Sequence, residues 1–231
     1  MFSHEGFLIS QGKRAYADGF VHKFGANLDI ANNAYESVWT YGGLYPWSAL
    51  DTPQVLYVNS TTADAGLITL QGLDAEYNQI SETLTLTGTA FVNTQNPFKR
   101  IFRAEYNSPL GTNTGSIVIR AASTGGTVVC HVQAGKGQTQ MAVYTVPAGY
   151  TAYGINYLAG TGKANETIVE VYTRSEGGSF RVRNAMQINN NAVNVPFPIP
   201  VPLKEKTDID FRAIAPNGGS VIVNFDLILQ R

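Results

Sequence analysis

Alternation of apolar and polar residues recurs along the chain and predicts β-strands. At residues 79–87, Ile80, Leu84 and Leu86 fall on one side of an extended chain, and hydroxyl side chains fall on the other. A period of two residues is typical of a half-buried antiparallel strand. Because no apolar pattern of helical period extends beyond two turns, we predict an all-β protein.

The predicted strands fall into two regions, each with enough of them for its own core. Those of the first region are 54–59, 67–73, 79–87, 99–106, 116–121 and 127–132. Those of the second region are 141–146, 151–158, 167–174, 179–188, 193–201, 208–214 and 220–229. Short strands spaced about 10–15 residues apart are typical of a sandwich or jelly roll. We therefore predict two β-sandwich or jelly-roll-like domains, at residues 35–134 and 138–231.

The last predicted strand, 220–229, has apolar residues on both faces. Every second position from Val221 onward is apolar, whereas Ile222 and Ile228 lie among polar residues on the opposite face. We therefore expect that second face to be partly covered.

Residues 1–34 show no clear period and are predicted to form an extended N-terminal arm. Its aromatic residues are too widely spaced for one helix face; they are Phe2, Phe7, Tyr16, Phe20 and Phe24. Aromatic side chains favour burial, so we expect these five to bind another protein surface. Such an arm is dispensable for folding, so deletion of residues 1–24 should leave both β domains folded.

Prolines alternate with apolar residues in the segment 193–202. They are Pro196, Pro198, Pro200 and Pro202. Proline has no backbone N–H, so it cannot donate to a neighbouring strand. The segment is therefore predicted to lie at the edge of a sheet, where prolines also oppose uncontrolled strand addition.

Composition narrows the range of functions. Charged residues make up 14% of the chain and the formal net charge is -1, whereas the average charged fraction is about 25%. A nucleic-acid-binding protein would show a basic stripe, so we expect no nucleic-acid partner. No apolar run approaches the roughly 18 residues of a membrane helix. Residues 1–12 lack the features of a signal peptide, and we expect no membrane partner.

Candidate catalytic and metal-binding residues are sparse. Cys130 is the single cysteine, falls on the apolar side of a predicted strand and is interpreted as a core residue. The histidines His4, His22 and His131 have no partners at metal-ligand spacing. We therefore expect no catalytic residue, no metal and no cofactor, and a protein that is not an enzyme.

Several charged residues lie close together in the sequence, and none of these groups is predicted to be catalytic. The carboxylate pairs are Asp74 with Glu76, Glu166 with Glu170, and Asp208 with Asp210. Each pair is interpreted as part of a turn or of a solvated strand face. Arg174, Arg181 and Arg183 are interpreted as a small basic patch, either a plain exposed edge or a dock for a carboxylate-bearing neighbour.

Several short blocks of the chain together resemble virion proteins of tailed bacteriophages. The blocks are residues 22–25, 29–30, 36–39, 42–47, 69–74, 81–88, 144–149 and 202–209. They occur in the same order and cover nearly the whole chain, but they contain no catalytic signature. The resemblance supplies no functional residue beyond these blocks.

The resemblance implies a structural component of the phage particle. We expect a capsid decoration (cement) protein that binds the major capsid protein shell and stabilises the head. The alternative is a neck, tail or fibre structural protein that contacts host glycans, and a glycan-degrading enzyme is a third class. The expected location is the virion, assembled in the bacterial host cytoplasm. Because closed cyclic symmetry is usual for repeated proteins, we expect a homotrimer whose arm contacts a neighbouring subunit or the capsid.

Overall fold

The chain folds into two compact units, and one of them is discontinuous in sequence. A computed structural model describes residues 8, 9, 11, 13, 17–162 and 166–231. The discontinuous unit is drawn from Met1–Val38 and Ala142–Arg231, and the inserted unit is Trp39–Met141. The boundary predicted near residues 134–138 is therefore close to one real boundary. The prediction of two consecutive domains is wrong, because one unit takes residues from both ends of the chain.

Nearly all regular structure in the described residues is β. The strands of the discontinuous unit are β1 (Gly19–Ile30), β2 (Glu36–Ser37), β10 (Val143–Thr145), β11 (Thr151–Thr161), β12 (Glu166–Arg174), β13 (Arg181–Asn189), β14 (Ala192–Leu203), β15 (Asp208–Ile214) and β16 (Gly219–Gln230). The inserted unit contains a 3₁₀ helix (Trp47–Leu50), β3 (Leu56–Ser60), β4 (Ala65–Leu73), β5 (Gln79–Thr87), β6 (Val92–Asn93), β7 (Arg100–Asn107), β8 (Ile117–Ala121) and β9 (Val128–Val132). The all-β prediction is confirmed, and the bounds of β5 and β15 match it.

Eight strands of the discontinuous unit have the topology of a jelly roll. In chain order they are β1 and then β10 to β16. One sheet has the order β1-β16-β11-β14, and the other has the order β10-β15-β12-β13. The first strand pairs with the eighth, the second with the seventh, the third with the sixth and the fourth with the fifth, all antiparallel. The chain is therefore one long hairpin rolled into two sheets, as in jelly rolls.

Local sequence explains both the tip of this hairpin and its core. The turn between β12 and β13 includes Gly177 at φ 69, a conformation that glycine adopts without strain. Ser175 O accepts a hydrogen bond from Gly178 N at 2.9 Å and closes the turn. At the other end of the hairpin, the alternating residues of β16 from Val221 to Leu229 are buried between the sheets, as predicted.

Strand β1 corrects the prediction that residues 19–30 belong to an extended arm outside the β domains. It pairs with β16 from Gly19 opposite Leu229 to Asn27 opposite Val221. The alternation was not visible because the inward positions include buried Lys23 and Asn27, together with Gly25. Deletion of residues 1–24 would remove the first half of this 12-residue strand. We therefore expect such a deletion to destabilise the jelly roll rather than to leave both β domains folded.

The inserted unit is a smaller sandwich. Its sheets have the orders β6-β3-β8-β9 and β5-β4-β7. Buried Asp64 holds the loops at one end of this unit: its carboxylate accepts hydrogen bonds from Ser60 Oγ at 2.7 Å, Thr114 N at 2.7 Å and Gly115 N at 2.9 Å. Burial alone would raise the pKa of Asp64, but these hydrogen bonds stabilise the anion and hold that pKa well below its usual range.

We predict that Gly25→Ala destabilises the jelly roll by about 2–3 kcal/mol. A Cβ at Gly25 would lie 2.3 Å from Ala142 N and 2.4 Å from Val38 O, so the backbone would have to move. Gly19→Ala on the same strand is the matched control, because its Cβ would meet nothing closer than 3.9 Å. Urea unfolding followed by circular dichroism measures both variants. Equal stability of the two variants would contradict the close approach.

We predict that Asp64→Asn lowers the stability of the inserted unit by about 2–3 kcal/mol at pH 7. The folded-state pKa of Asp64 is lowered, so its stabilisation is present above the unfolded carboxyl pKa of about 3.9 and is lost as pH falls below it. The difference between variant and wild type should therefore shrink as pH falls from about 4. Tryptophan fluorescence follows this unit alone, because both tryptophans, Trp39 and Trp47, lie in it. A difference that stays constant down to pH 2 would refute the argument.

Candidate interaction surfaces of the jelly roll

The structure describes two of the five aromatic residues assigned to the arm. Phe2, Phe7 and Tyr16 lie outside the described residues. Phe20 and Phe24 lie on β1, opposite Ile228 and Asn224 of β16. Both aromatic residues therefore point away from the other sheet, onto the surface that we call the outer face.

The outer face is the outward side of the sheet β1-β16-β11-β14. Its side chains form four rows that cross all four strands. The rows are Phe20, Ile228, Tyr153 and Pro202; His22, Asp226, Asn156 and Pro196; Phe24, Asn224, Leu158 and Asn194; and Ala26, Ile222, Gly160 and Ala192. Of these residues, the sequence pointed to Phe20 and Phe24 of β1 and to Ile222 and Ile228 of β16, but not to the β11 and β14 residues that complete the rows.

The rows contain no lysine or arginine and only one carboxylate, Asp226, which is paired with the one histidine, His22. His22 Nδ1 lies 2.6 Å from Asp226 Oδ1. The second carboxylate oxygen of Asp226 accepts a hydrogen bond from Asn156 Nδ2 at 3.2 Å. Phe20 and Ile222, at either end of the face, are 45% and 47% exposed. A broad face of this composition is suited to contact another protein surface through apolar area rather than through salt bridges.

The second surface is the open edge of the sandwich, where β13 and β14 are the outermost strands of their sheets. The prediction that the proline-rich segment is an edge strand is confirmed. On β14, residues 197–200 stand opposite the single residue Ile155, because Gly154 pairs with Val201 and Asn156 with Pro196. On β13, Arg183 is left between the pairs of its neighbours Val182 and Asn184. Irregularities of this kind bend strands and redirect side chains.

A cavity of about 260 Å³ lies between the sheets at this edge. Its inner wall is aromatic: the ring centroids of Tyr157 and Phe211 are 5.5 Å apart, and those of Phe211 and Phe225 are 4.9 Å apart. Phe197, from the irregular part of β14, lies 5.8 Å from the Tyr157 ring. Burial raises the pKa of the Tyr157 hydroxyl. The cavity is thus a mostly apolar space bounded by an irregular strand on either side.

The basic patch that the sequence suggested is not a single feature. Arg174 Nη2 lies 2.6 Å from Asp208 Oδ2, so its charge is compensated within the sheet. Arg183 is exposed, and its Nε donates to Thr173 Oγ1 at 2.8 Å at the mouth of the cavity. Arg181 is exposed on the same strand and does not line the cavity. The arginines therefore divide into one structural residue and two on the open edge.

Asp208 and Asp210 do not form a solvated strand face, and that prediction is wrong. Both residues are buried. Asp208 Oδ1 accepts a hydrogen bond from Thr145 Oγ1 at 2.6 Å, and Asp210 Oδ2 accepts one from Arg212 Nε at 2.8 Å. The contacts of Asp208 with Thr145 and Arg174 join β15 to β10 and β12, whereas Asp210 and Arg212 lie on the same strand. Removal of one partner would leave a buried charge.

The other two carboxylate pairs also have local partners. Asp74 Oδ1 accepts hydrogen bonds from Glu76 N at 3.0 Å and Asn78 N at 2.8 Å, which confirms its place in a turn. Glu170 Oε2 accepts a hydrogen bond from the Tyr172 hydroxyl at 2.6 Å. Burial, and then this carboxylate, raise the pKa of Tyr172 to about 12.

Cys130 and His131 are neighbours on β9, and both are at least partly buried. Cys130 is a buried residue of β9, which confirms its interpretation as core. His131 Nδ1 lies 2.9 Å from Thr40 Oγ1, and burial lowers the pKa of His131. His4 lies outside the described residues. Within the part of the chain that the structure describes, no three His, Cys, Asp or Glu side chains are grouped so as to hold a metal ion.

Comparison with known proteins shows no family for this chain. No protein-family model and no curated protein match it. A chain of the cowpea mosaic virus top component, the naturally occurring empty particles, is 8% identical, with 75% of this chain and 80% of that one covered and a TM-score of 0.24. The PBSX exported protein XepA is 10% identical, with 91% of this chain and 86% of that one covered and a TM-score of 0.21. The infectious bursal disease virus VP2 subviral particle is 11% identical, with 91% of this chain and 71% of that one covered and a TM-score of 0.20.

These structural similarities are too low to carry an inference about function.

None of the helices among the described residues is long and apolar enough to span a membrane.

Proposed function

We propose that the chain is a structural component of a tailed-phage particle, specifically a capsid decoration protein that binds the shell of the major capsid protein. The outer face of the jelly roll carries this proposal. It joins four strands in one surface whose single carboxylate, Asp226, is paired with His22. The blocks of sequence that resemble tailed-phage virion proteins support the same role.

A protein repeated many times on a shell needs large contact surfaces and protected sheet edges. The low charged fraction of 14% suits burial against neighbours, because each desolvated charge would need a partner. The prolines of β14 remove backbone donors from one edge. That edge is consequently protected against uncontrolled strand pairing between crowded copies.

The proposed partners are the major capsid protein and further copies of the same chain. Closed cyclic symmetry is usual for repeated soluble proteins, and a homotrimer would match the threefold positions of an icosahedral shell. The proposed location is the virion, assembled in the bacterial host cytoplasm. The single buried cysteine is compatible with a reducing compartment, since the fold requires no disulfide.

We predict that Phe20→Asp and Ile222→Asp each weaken attachment to the particle by at least about tenfold, because a charge would be buried without a partner. Leu110→Asp is the matched control: it places the same charge at an apolar residue that is 89% exposed in the inserted unit. Purified variants would be added to particles that lack the protein, and the bound fraction measured by sedimentation.

Unchanged attachment of both outer-face variants, with circular dichroism showing that they are folded, would exclude this face as the docking surface. Copy number then separates the possible roles. Hundreds of copies per particle are expected for a decoration protein. About six to eighteen copies would instead indicate the neck, tail or fibre alternative.

A further inference from the structure

We propose that the cavity at the open edge binds a medium-chain aliphatic carboxylate, with the tail against the aromatic wall and the carboxylate on Arg183. This inference concerns the jelly roll itself and does not depend on the proposed role in a particle.

The size and position of the cavity favour a ligand. Protein interiors are close-packed, and voids much larger than a water molecule are few. A cavity of about 260 Å³ exceeds the apolar cavity of about 150 Å³ that is known to bind benzene in another protein. It lies where β11, β13 and β14 all depart from regular pairing. Because strand irregularities are common next to functional sites, their convergence here indicates a binding site.

The wall of the cavity selects an apolar body. Tyr157, Phe211 and Phe225 line the cavity together with Val171 and Leu203. A sugar would bring several hydroxyl groups to these walls, and most of them would lose their hydrogen bonds to water without replacement. An alkyl chain makes no such demand and gains from the removal of its surface from water.

The mouth of the cavity selects a negative head group. Arg183 Nε donates to Thr173 Oγ1 at 2.8 Å, and no carboxylate among the described residues forms an ion pair with Arg183. Its terminal nitrogens can therefore donate to a carboxylate, for which guanidinium geometry is well matched. Asp226 also lines the cavity, but its two oxygens contact His22 and Asn156 and it forms no ion pair with Arg183.

The proposal is tested with decanoate as the probe, at concentrations below micelle formation. Calorimetry should detect saturable binding, and bound decanoate should raise Tm by at least about 3 °C, because a ligand that binds only the folded state stabilises it. Decanol lacks the charge, decyltrimethylammonium reverses it, and propionate lacks the tail. All three should bind at least about tenfold more weakly than decanoate if both the tail and the carboxylate contribute.

Variants then assign the two halves of the site. Arg183→Gln should weaken decanoate binding at least about tenfold and leave decanol binding unchanged. Arg181→Gln removes the same charge outside the cavity lining and should have little effect. Gly154→Val should abolish binding of both probes, because Gly154 lines the cavity. An added Cβ there would be in ordinary contact with Val201 and Phe197, at 3.7 Å or more, so the two methyl groups beyond it would occupy the space of the ligand. If Gly154→Val does not fold, Val171→Phe reduces the cavity from the other sheet.

Absence of saturable decanoate binding to the wild type would overturn the proposal. So would full binding by a folded Gly154→Val or Val171→Phe variant, because the ligand would then lie elsewhere. Equal losses in Arg183→Gln and Arg181→Gln would overturn the assignment of the head group, since they would indicate a diffuse attraction to the positively charged edge.

Discussion

The pairing of β1 with β16 is the interaction on which the rest of the jelly roll depends. It joins residues near the two ends of the chain, from Gly19 opposite Leu229 to Asn27 opposite Val221. The sequence of the inserted unit therefore lies between two paired strands of the other unit. Without β1, β16 would become an edge strand with unpaired backbone groups, and the outer face would lose one of its four strands. Close approach at Gly25 brings β1 against Val38 and Ala142, where the chain leaves and re-enters the unit.

The two surfaces of the jelly roll follow from this arrangement. On the outer face, antiparallel pairing aligns side chains from four strands into rows, and the irregularity between Gly154 and Asn156 lies between the first two rows. At the open edge, pairing is irregular, and the sheets separate around the aromatic cavity. The outer face is a broad surface with little charge that is suited to a macromolecular partner, whereas the irregular register at the open edge produces a concave site suited to a small ligand.

Much of the fold was predictable from alternation, because strands with one buried face show it directly. Strand β5 and strand β15 are examples. Strand β1 was not predictable, because its buried positions include Lys23 and Gly25, which carry no apolar signal. The pairing of buried Asp208 with Arg174 was also missed, since the partners are 34 residues apart in sequence. The cavity could not be predicted either, because it depends on register shifts between paired strands, which residue alternation along one strand does not reveal.

The proposed attachment of this jelly roll to a phage head through its outer face can be tested on the particle itself. The most direct measurement is an electron-microscopy map of the intact particle at a resolution that distinguishes side chains. We predict density for the protein on the outside of the capsid shell, with Phe20 and Ile222 buried against a neighbouring chain and the proline-rich edge of β14 free of added strands. Density confined to the neck or tail, or an outer face exposed to solvent throughout the particle, would contradict the account.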